Sequence, residues 1–356
     1  MTLILGIDIG GTGSRAALGE FGDVSDQRGS VASGTHAVAG AGSVPRVLDK
    51  IAGPRITIGP NGSTVLDVLR ELVKSAADTW SERLREVSGI GIGATGIASL
   101  AEDPSDVLAE ISGEVGVPAV VAIDAVTAHL GALGGAGGAI SVLGTGAIAI
   151  AHPGPDADGK WTADWSRADG WGHLFGDRGG GAWLGRHGLE LALRTHDGID
   201  EHGRALLEAA TRRFGPPASW PAQFYTRSDR AGLLAEFAVD VADCARAGDT
   251  ASADLLREAG QEAARSAVAA ARRSSREDPA TGRADRTAGH PTRIALTGGV
   301  AAAGDHLVEG FHTETGHLDP NVTIVEPAGG PLAGAFTLGH LGAGGKLSAQ
   351  DRIIWT

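Results

Sequence analysis

Apolar positions along the chain fall into two kinds of segment. Short, dense apolar runs read as buried strands: Leu3–Ile9, Ile90–Ala94, Ala119–Ile123, Ala139–Leu143, Ala147–Ala151, Ile294–Leu296 and Val322–Val325. Arg15–Leu18, 31–33 and Arg55–Ile58 read as further short strands. Longer stretches carry apolar residues near a 3.6-residue period and read as helices. In Val65–Arg85 these are Val65, Leu66, Leu69, Leu72, Val73, Ala76, Ala77, Trp80 and Leu84. Val107–Val115, Thr127–Leu133, Leu184–Arg194, Gly203–Phe214, Arg230–Ala247, Ala251–Ser274 and Pro331–Leu341 follow. The polar, aperiodic stretch 276–291 reads as an exposed loop.

The order of these segments repeats. Each half opens with a strand, a tight Gly/Thr turn and a second strand: first around Gly10-Gly11-Thr12-Gly13, then around Gly144-Thr145-Gly146. The repeat is one of architecture, with little residue identity between the halves. It predicts two α/β domains, 1–124 and 125–345, with 346–356 as a C-terminal tail. A length of 356 residues suits two domains with sizeable cores.

Composition narrows the picture. Glycine is 56 of 356 residues, over twice the usual share of about 7%, and it clusters at the ends of predicted strands. A formal net charge of −13 argues against a nucleic-acid partner. No apolar run reaches the ~20 residues that span a bilayer, so no membrane partner is expected. The first residues lack a basic region ahead of the apolar run, which points to a cytoplasmic protein. Cys244 is the sole cysteine, so disulfide frameworks, zinc ribbons and cysteine-held iron–sulfur clusters within one chain are excluded.

The glycine turns carry the candidate chemistry. In Asp8-Ile9-Gly10-Gly11-Thr12-Gly13-Ser14, glycines permit positive φ and let backbone N–H groups approach an anion. Successive N–H groups in such a turn make a nest for phosphate, with the Thr12 and Ser14 hydroxyls as added donors. Asp8, at the strand end, suits magnesium held through water. An ordinary hairpin turn is the bland alternative. Two rival phosphate motifs fail on context. Gly11–Ala16 matches a dinucleotide pattern but runs into a short strand where a helix is required. Gly154–Lys160 nearly matches a P-loop, but Trp161 stands where Ser or Thr is needed. Gly144-Thr145-Gly146 sits between apolar strands, and Gly298-Gly299 follows a third.

Taken together these segments resemble the actin-like ATPase clan, in its N-acetylglucosamine kinase and BadF-type branch. Asp8–Ser14 is similar to the first phosphate loop, Gly144–Gly146 to the second, and Thr297–Val300 to the adenosine loop. Gly170-Trp171-Gly172-His173-Leu174-Phe175-Gly176-Asp177 resembles the sugar-binding signature of that branch, and Asp124-Ala125-Val126 the connecting segment with its catalytic aspartate. The likeness runs from Ile4 to about Gly339. It implies two ribonuclease-H-like domains with ATP and substrate in the cleft between them, magnesium as cofactor, and a homodimer.

The resemblance also implies roles. Asp124 would be the base that accepts a proton from a sugar hydroxyl; its position at a strand end equally suits a helix N-cap. Trp171 would offer a flat face to a pyranose, against the alternative of a core tryptophan, and Asp177 would accept sugar hydroxyls, against an ion pair with Arg178. The family often has an acidic residue at the place of Arg178. His173 reads as a structural hydrogen-bonding residue. Gly172, Thr95 and Gly96 join the sugar-site candidates. Asn61, in Gly59-Pro60-Asn61-Gly62, is the best match for an N-terminal-domain asparagine that contacts sugar, with Gly40–Arg55 as an insertion or a variant connection. The expected function is ATP-dependent phosphorylation of N-acetylglucosamine or glucosamine at the 6-hydroxyl. The alternatives are a non-kinase ATPase of the BadF type and a kinase for another small hydroxylated acceptor.

Overall fold

The computed structural model describes residues 1–11, 13–21, 45–59, 62–98, 103–274 and 292–356. Thr12, Asn61, the candidate strand 31–33 and the loop 276–291 lie outside them.

The chain begins with a hairpin of β1 (Thr2–Gly10) and β2 (Gly13–Phe21), in which Gly10 pairs with Gly13. Then come β3 (Arg46–Gly53), a short pair β4 (Ile58–Gly59) and β5 (Gly62–Ser63), α1 (Val65–Trp80), a 3-10 turn at Arg83–Glu86, β6 (Val87–Ala94), α2 (Ser105–Val115), β7 (Ala119–Ile123) and α3 (Asp124–Ala132). Five of these strands lie in one sheet in the order β3-β2-β1-β6-β7. The central β1, β6 and β7 run parallel, while β2 and β3 are antiparallel to their neighbours.

A second series follows: β8 (Gly138–Leu143), β9 (Ala147–His152), β10 (Ser166–Asp169), α4 (Gly181–His196), α5 (Arg204–Phe214), α6 (Trp220–Tyr225), α7 (Arg230–Arg246), α8 (Thr250–Ser274), β11 (Arg293–Thr297), α9 (Asp305–Leu318) and β12 (Thr323–Ile324). Its sheet has the order β10-β9-β8-β11-β12, with β8, β11 and β12 parallel and β10 antiparallel to β9. The strand order of the first sheet is thus repeated in the second. This is the α/β, two-sheet architecture that the resemblance implies. The chain ends with α10 (Pro331–Ala343) and β13 (Ile354–Trp355), which adds antiparallel to the outer side of β7.

By contacts the chain divides into two units: residues 1–138, 152–165 and 326–356, and residues 139–151 and 166–325. This is not the expected break at residues 124 and 125. α3 and α10 pack on the first sheet through glycines that let backbones touch. A Cβ on Gly91 of β6 would lie 2.0 Å from the Ala335 carbonyl oxygen, and one on Gly334 would lie 1.7 Å from the Thr127 carbonyl oxygen. The Phe336 ring, fully buried, occupies the slot left where Gly6 and Gly19 lack side chains.

Other expectations also shift. The stretch 40–55, expected as an insertion or a variant connection, contains β3, an edge strand with no buried residue to mark it in sequence. The terminal residues are no loose tail: β13 belongs to the first sheet, and Gln350 bonds the backbone of Trp165 in both directions, at 3.0 and 2.9 Å. α6, α9 and the short β10 were not foreseen.

The second unit has its own core, where Phe237 and Phe311 are fully buried among the alanines and leucines of α4, α7 and α8. The Gly154–Lys160 segment is a turn closed by Asp156, whose N–H donates to the Lys160 carbonyl at 2.9 Å.

Candidate active site

In the first unit, three parallel strands end side by side. Asp8 pairs with Gly93 across β1 and β6, and Ala94 with Ile123 across β6 and β7. Gly10 closes β1, and Thr95 and Asp124 follow directly on β6 and β7. The Thr95 N–H donates to the Ile9 carbonyl at 2.8 Å, which ties the exit of β6 to that of β1. Carboxyl ends of parallel strands are where open α/β sheets bind ligands.

Asp124 is the first residue of α3. Its carboxyl accepts a hydrogen bond from the Thr95 hydroxyl. Burial pushes its pKa up to about 6, and the nearby Asp8 charge pushes the same way; the Thr95 bond opposes them. Thr127 fixes the turn beneath: its hydroxyl donates to the Asp124 carbonyl at 2.9 Å and fills the space a Cβ on Gly93 would need. A carboxylate that titrates near neutrality is suited to take a proton from a hydroxyl.

Asp8 is part-buried, and burial raises its pKa despite Arg15. Arg15 donates through Nε and Nη2, at 3.0 and 2.8 Å, and both bonds end on Oδ2. Oδ1 is the oxygen left to face a cation. A hard carboxylate oxygen fits magnesium, which is commonly held by one or two carboxylates and the substrate's phosphates. Among the described residues no group of three His, Cys, Asp or Glu side chains forms a metal cluster. Arg15 is a site residue that the sequence reading did not single out. The signal was present: a turn that pairs Gly10 with Gly13 also pairs Asp8 with Arg15.

The first glycine turn differs in part from its expected form. None of Gly10, Gly11 and Gly13 has positive φ. A Cβ on Gly11 or Gly13 would meet nothing within 4 Å, so this side of the turn is open with or without a side chain. The Ser14 hydroxyl donates to the Pro54 carbonyl at 2.6 Å and is spent within the fold. Gly96 has φ +70 and stands beside Thr95.

The second unit gathers the other candidates. Gly144-Thr145-Gly146 joins β8 to β9, and the Gly144 N–H closes it on the Gly146 carbonyl at 2.9 Å. The N–H groups of Gly181 and Ala182, at the start of α4, donate to the carbonyls of Gly144 and Thr145, each at 2.8 Å. These bonds leave the N–H groups of Thr145 and Gly146 out, and Thr145 is exposed. Gly298 follows β11, next to β8. Its φ of +100 and its contact with the Leu143 carbonyl, 2.3 Å from a would-be Cβ, allow only glycine there. Gly299 then starts a 3-10 turn.

Trp171 is 65% exposed, so it is not a core residue; the Arg167 guanidinium lies 4.6 Å from the ring centroid. Asp177 does not pair with Arg178. Its carboxylate accepts the Gly172 N–H at 3.0 Å and the Ala147 N–H, while burial, its largest influence, raises its pKa. His173 was expected to hydrogen-bond, yet its Nε2 is buried without a partner among the described residues. Burial, then the Arg230 and Arg186 charges, lower its pKa.

Residues 5–334 match the model of the BadF/BadG/BcrA/BcrD ATPase family. No curated protein is significantly similar in sequence. Among solved structures, the chain is similar to a protein inferred to be an N-acetylglucosamine kinase from Chromobacterium violaceum, at 24% identity and TM-score 0.60, over 95% of this chain and 99% of that one. A protein inferred to be an N-acetylglucosamine kinase from Porphyromonas gingivalis gives 18% identity and TM-score 0.60, over 95% and 98%. A ROK family glucokinase from Streptomyces griseus, in complex with glucose and AMPPNP, gives 19% identity and TM-score 0.50, over 95% and 99%. At these identities the likeness is one of fold. No helix among the described residues is long and apolar enough to cross a membrane.

Proposed function

Since this chain belongs to the BadF/BadG/BcrA/BcrD ATPase family, we propose that it is an ATP-dependent kinase that phosphorylates the 6-hydroxyl of an amino sugar, N-acetylglucosamine or glucosamine. The observation that carries the reading is Asp124: a carboxylate at the end of β7, oriented by Thr95, with its pKa raised to about 6. Phosphoryl transfer needs little covalent help from the protein, so positioning and charge stabilisation dominate. Asp124 orients the sugar hydroxyl and takes its proton as the oxygen attacks the γ-phosphorus in line. The open turn at Gly11 and the N–H groups of Thr145 and Gly146 are the phosphate-binding elements, with Gly298 and Gly299 toward the nucleoside. The residues assigned to the sugar are Trp171, Gly172 and Asp177 in the second unit, and Thr95, Gly96 and, outside the described residues, Asn61 in the first. Asp8 would hold magnesium through Oδ1, and that ion would supply neutralising charge to the polyphosphate. The reading includes the expected homodimer and cytoplasmic location.

A cluster-bearing ATPase is the less suitable reading. Cys244 is the single cysteine, so two subunits offer two thiolates where a four-thiolate cluster needs four. The test is ADP release by the purified protein with magnesium ATP against glucosamine, N-acetylglucosamine, N-acetylmannosamine and glucose. Stimulation by an amino sugar, with the phosphate located on O6 by NMR, is the expected result. A flat response across the panel overturns the amino-sugar assignment and favours another hydroxylated acceptor.

A further inference from the structure

We infer that Asp169 is a positioning residue that sets the geometry of both the Trp171 loop and the second glycine turn, acting through Asp177. The inference deepens the kinase reading and rests on it for its kinetic consequence.

Asp169 ends β10 with its side chain 4% exposed. Such a buried carboxylate is tolerated only when its oxygens are bonded. Oδ1 accepts the Asp177 N–H and Oδ2 the Arg178 N–H, both at 2.9 Å, and Arg178 Nη1 lies 3.6 Å from Oδ1. Arg178 is therefore matched by an acid nine positions earlier, at the base of the loop. Asp169 and Asp177 both hold left-handed backbone, with φ of 60 and 56. That conformation is unfavourable for most non-glycine residues and tolerable for Asp. It persists at Asp177 because the two amide bonds to Asp169 fix the turn.

Asp177 passes the constraint on. Its carboxylate accepts the N–H of Gly172, which follows Trp171, and the N–H of Ala147, which follows Gly146. One buried carboxylate therefore aims a second, and the second clamps the aromatic loop to the exit of the glycine turn. The clamp leaves no room for added atoms. A Cβ on Gly176 would lie 2.2 Å from Asp169 Oδ1, and one on Gly146 would lie 2.3 Å from Asp177 Oδ2.

The experiment compares Asp169→Asn, Asp169→Gly and Arg178→Ala in the full-length protein. Asn keeps the left-handed preference and the size but offers one oxygen to two amides; Gly frees the backbone and offers none. Two readouts are taken: hydrogen exchange at the Gly172 and Ala147 amides, and steady-state kinetics with the preferred sugar. Both Asp169 variants are expected to exchange at least tenfold faster at these two amides. They are also expected to raise KM for sugar and for ATP together by tenfold or more, with kcat within threefold. Arg178→Ala, which keeps its backbone bond, should change each value less than threefold. Wild-type exchange rates in both Asp169 variants would overturn the inference. So would a lowered Tm with unchanged KM values, or an Arg178→Ala defect as large as that of Asp169→Asn. If the wild-type protein phosphorylates no sugar, the kinase reading fails while the exchange arm still decides the role of Asp169.

Discussion

Asp124 combines two properties that pull against each other: it is part-buried where an ionised carboxylate is disfavoured, and it is proposed to act while ionised. The raised pKa of about 6 sets the consequences. For activity, kcat/KM should fall below about pH 6 with a slope approaching one as Asp124 gains its proton, and stay level above it. Asp124→Asn should lower kcat at least a thousandfold while leaving the ADP affinity, read by calorimetry, within a few-fold of wild type. For stability the sign is the reverse of a salt-bridged aspartate. Between the ordinary value of 3.8 and about 6, the folded protein binds a proton that the unfolded chain releases, so stability declines as pH rises through that window. Asp124→Asn removes the cost of the buried charge and keeps an acceptor for Thr95. It should therefore raise stability by about 1 to 3 kcal/mol at pH 8, with the gain shrinking to nearly nothing by pH 4. Denaturant titrations at the two pH values check this. A variant that loses activity and gains stability separates a chemical role from a structural one such as helix capping.

At the scale of elements, legibility followed burial. Strands buried on both faces, such as β7, are dense apolar runs in sequence and were placed at their observed bounds, Ala119–Ile123. β3 was missed because an edge strand with Arg46, Asp49 and Lys50 lacks that signature. α9 was missed because its buried face, Leu307, Gly310, Phe311 and Thr315, holds only two large apolar residues among His306, Glu309, His312 and His317. The strand ends were readable for a physical reason: a carboxylate or glycine at the end of an apolar run, as at Gly10 and Asp124, breaks the pattern of a buried strand. Asp169 was not readable, since its importance lies in bonds to amides eight and nine residues away. Glycine content divides in the same way. A Cβ on Gly91 would lie 2.0 Å from one backbone oxygen and 2.4 Å from the Gly339 nitrogen, so Gly91→Ala must push α10 off β6. The expected loss is about 2 to 4 kcal/mol. Gly316, within α9, has nothing near a Cβ. Gly316→Ala should be neutral or stabilise by up to about 1 kcal/mol, because alanine favours helix. Thermal unfolding of the pair tests whether α10 is held by close backbone contact.

For the molecule as a whole, the repeated strand order accounts for part of the glycine: each half needs a turn between its first two strands, and close backbone contacts follow, between β6 and α10 at Gly91 in the first unit and between α8 and α9 at Gly260 in the second. The first unit adds something the repeat alone does not supply, because its last pieces come from the far end of the chain. β13 covers the outer edge of β7 through Ile354 and Trp355. The Ile123 N–H donates to the Ile353 carbonyl at 3.0 Å, one residue before Asp124. The Trp161 N–H donates to the Lys346 carbonyl at 2.8 Å, and the Ser348 N–H returns to the Trp161 carbonyl at 2.9 Å. Removal of residues 346–356 would free all these groups and expose β7 as a bare edge of five apolar residues, a pairing surface for other chains. The truncated protein should lose several degrees in Tm and aggregate in a concentration-dependent way, as read by light scattering during heating. Its proposed phosphoryl transfer should fall further than its stability at assay temperature explains, because the strand that delivers Asp124 loses its neighbour at that end. Full activity and unchanged Tm after truncation would mean that β7 holds its place without the C-terminal strand.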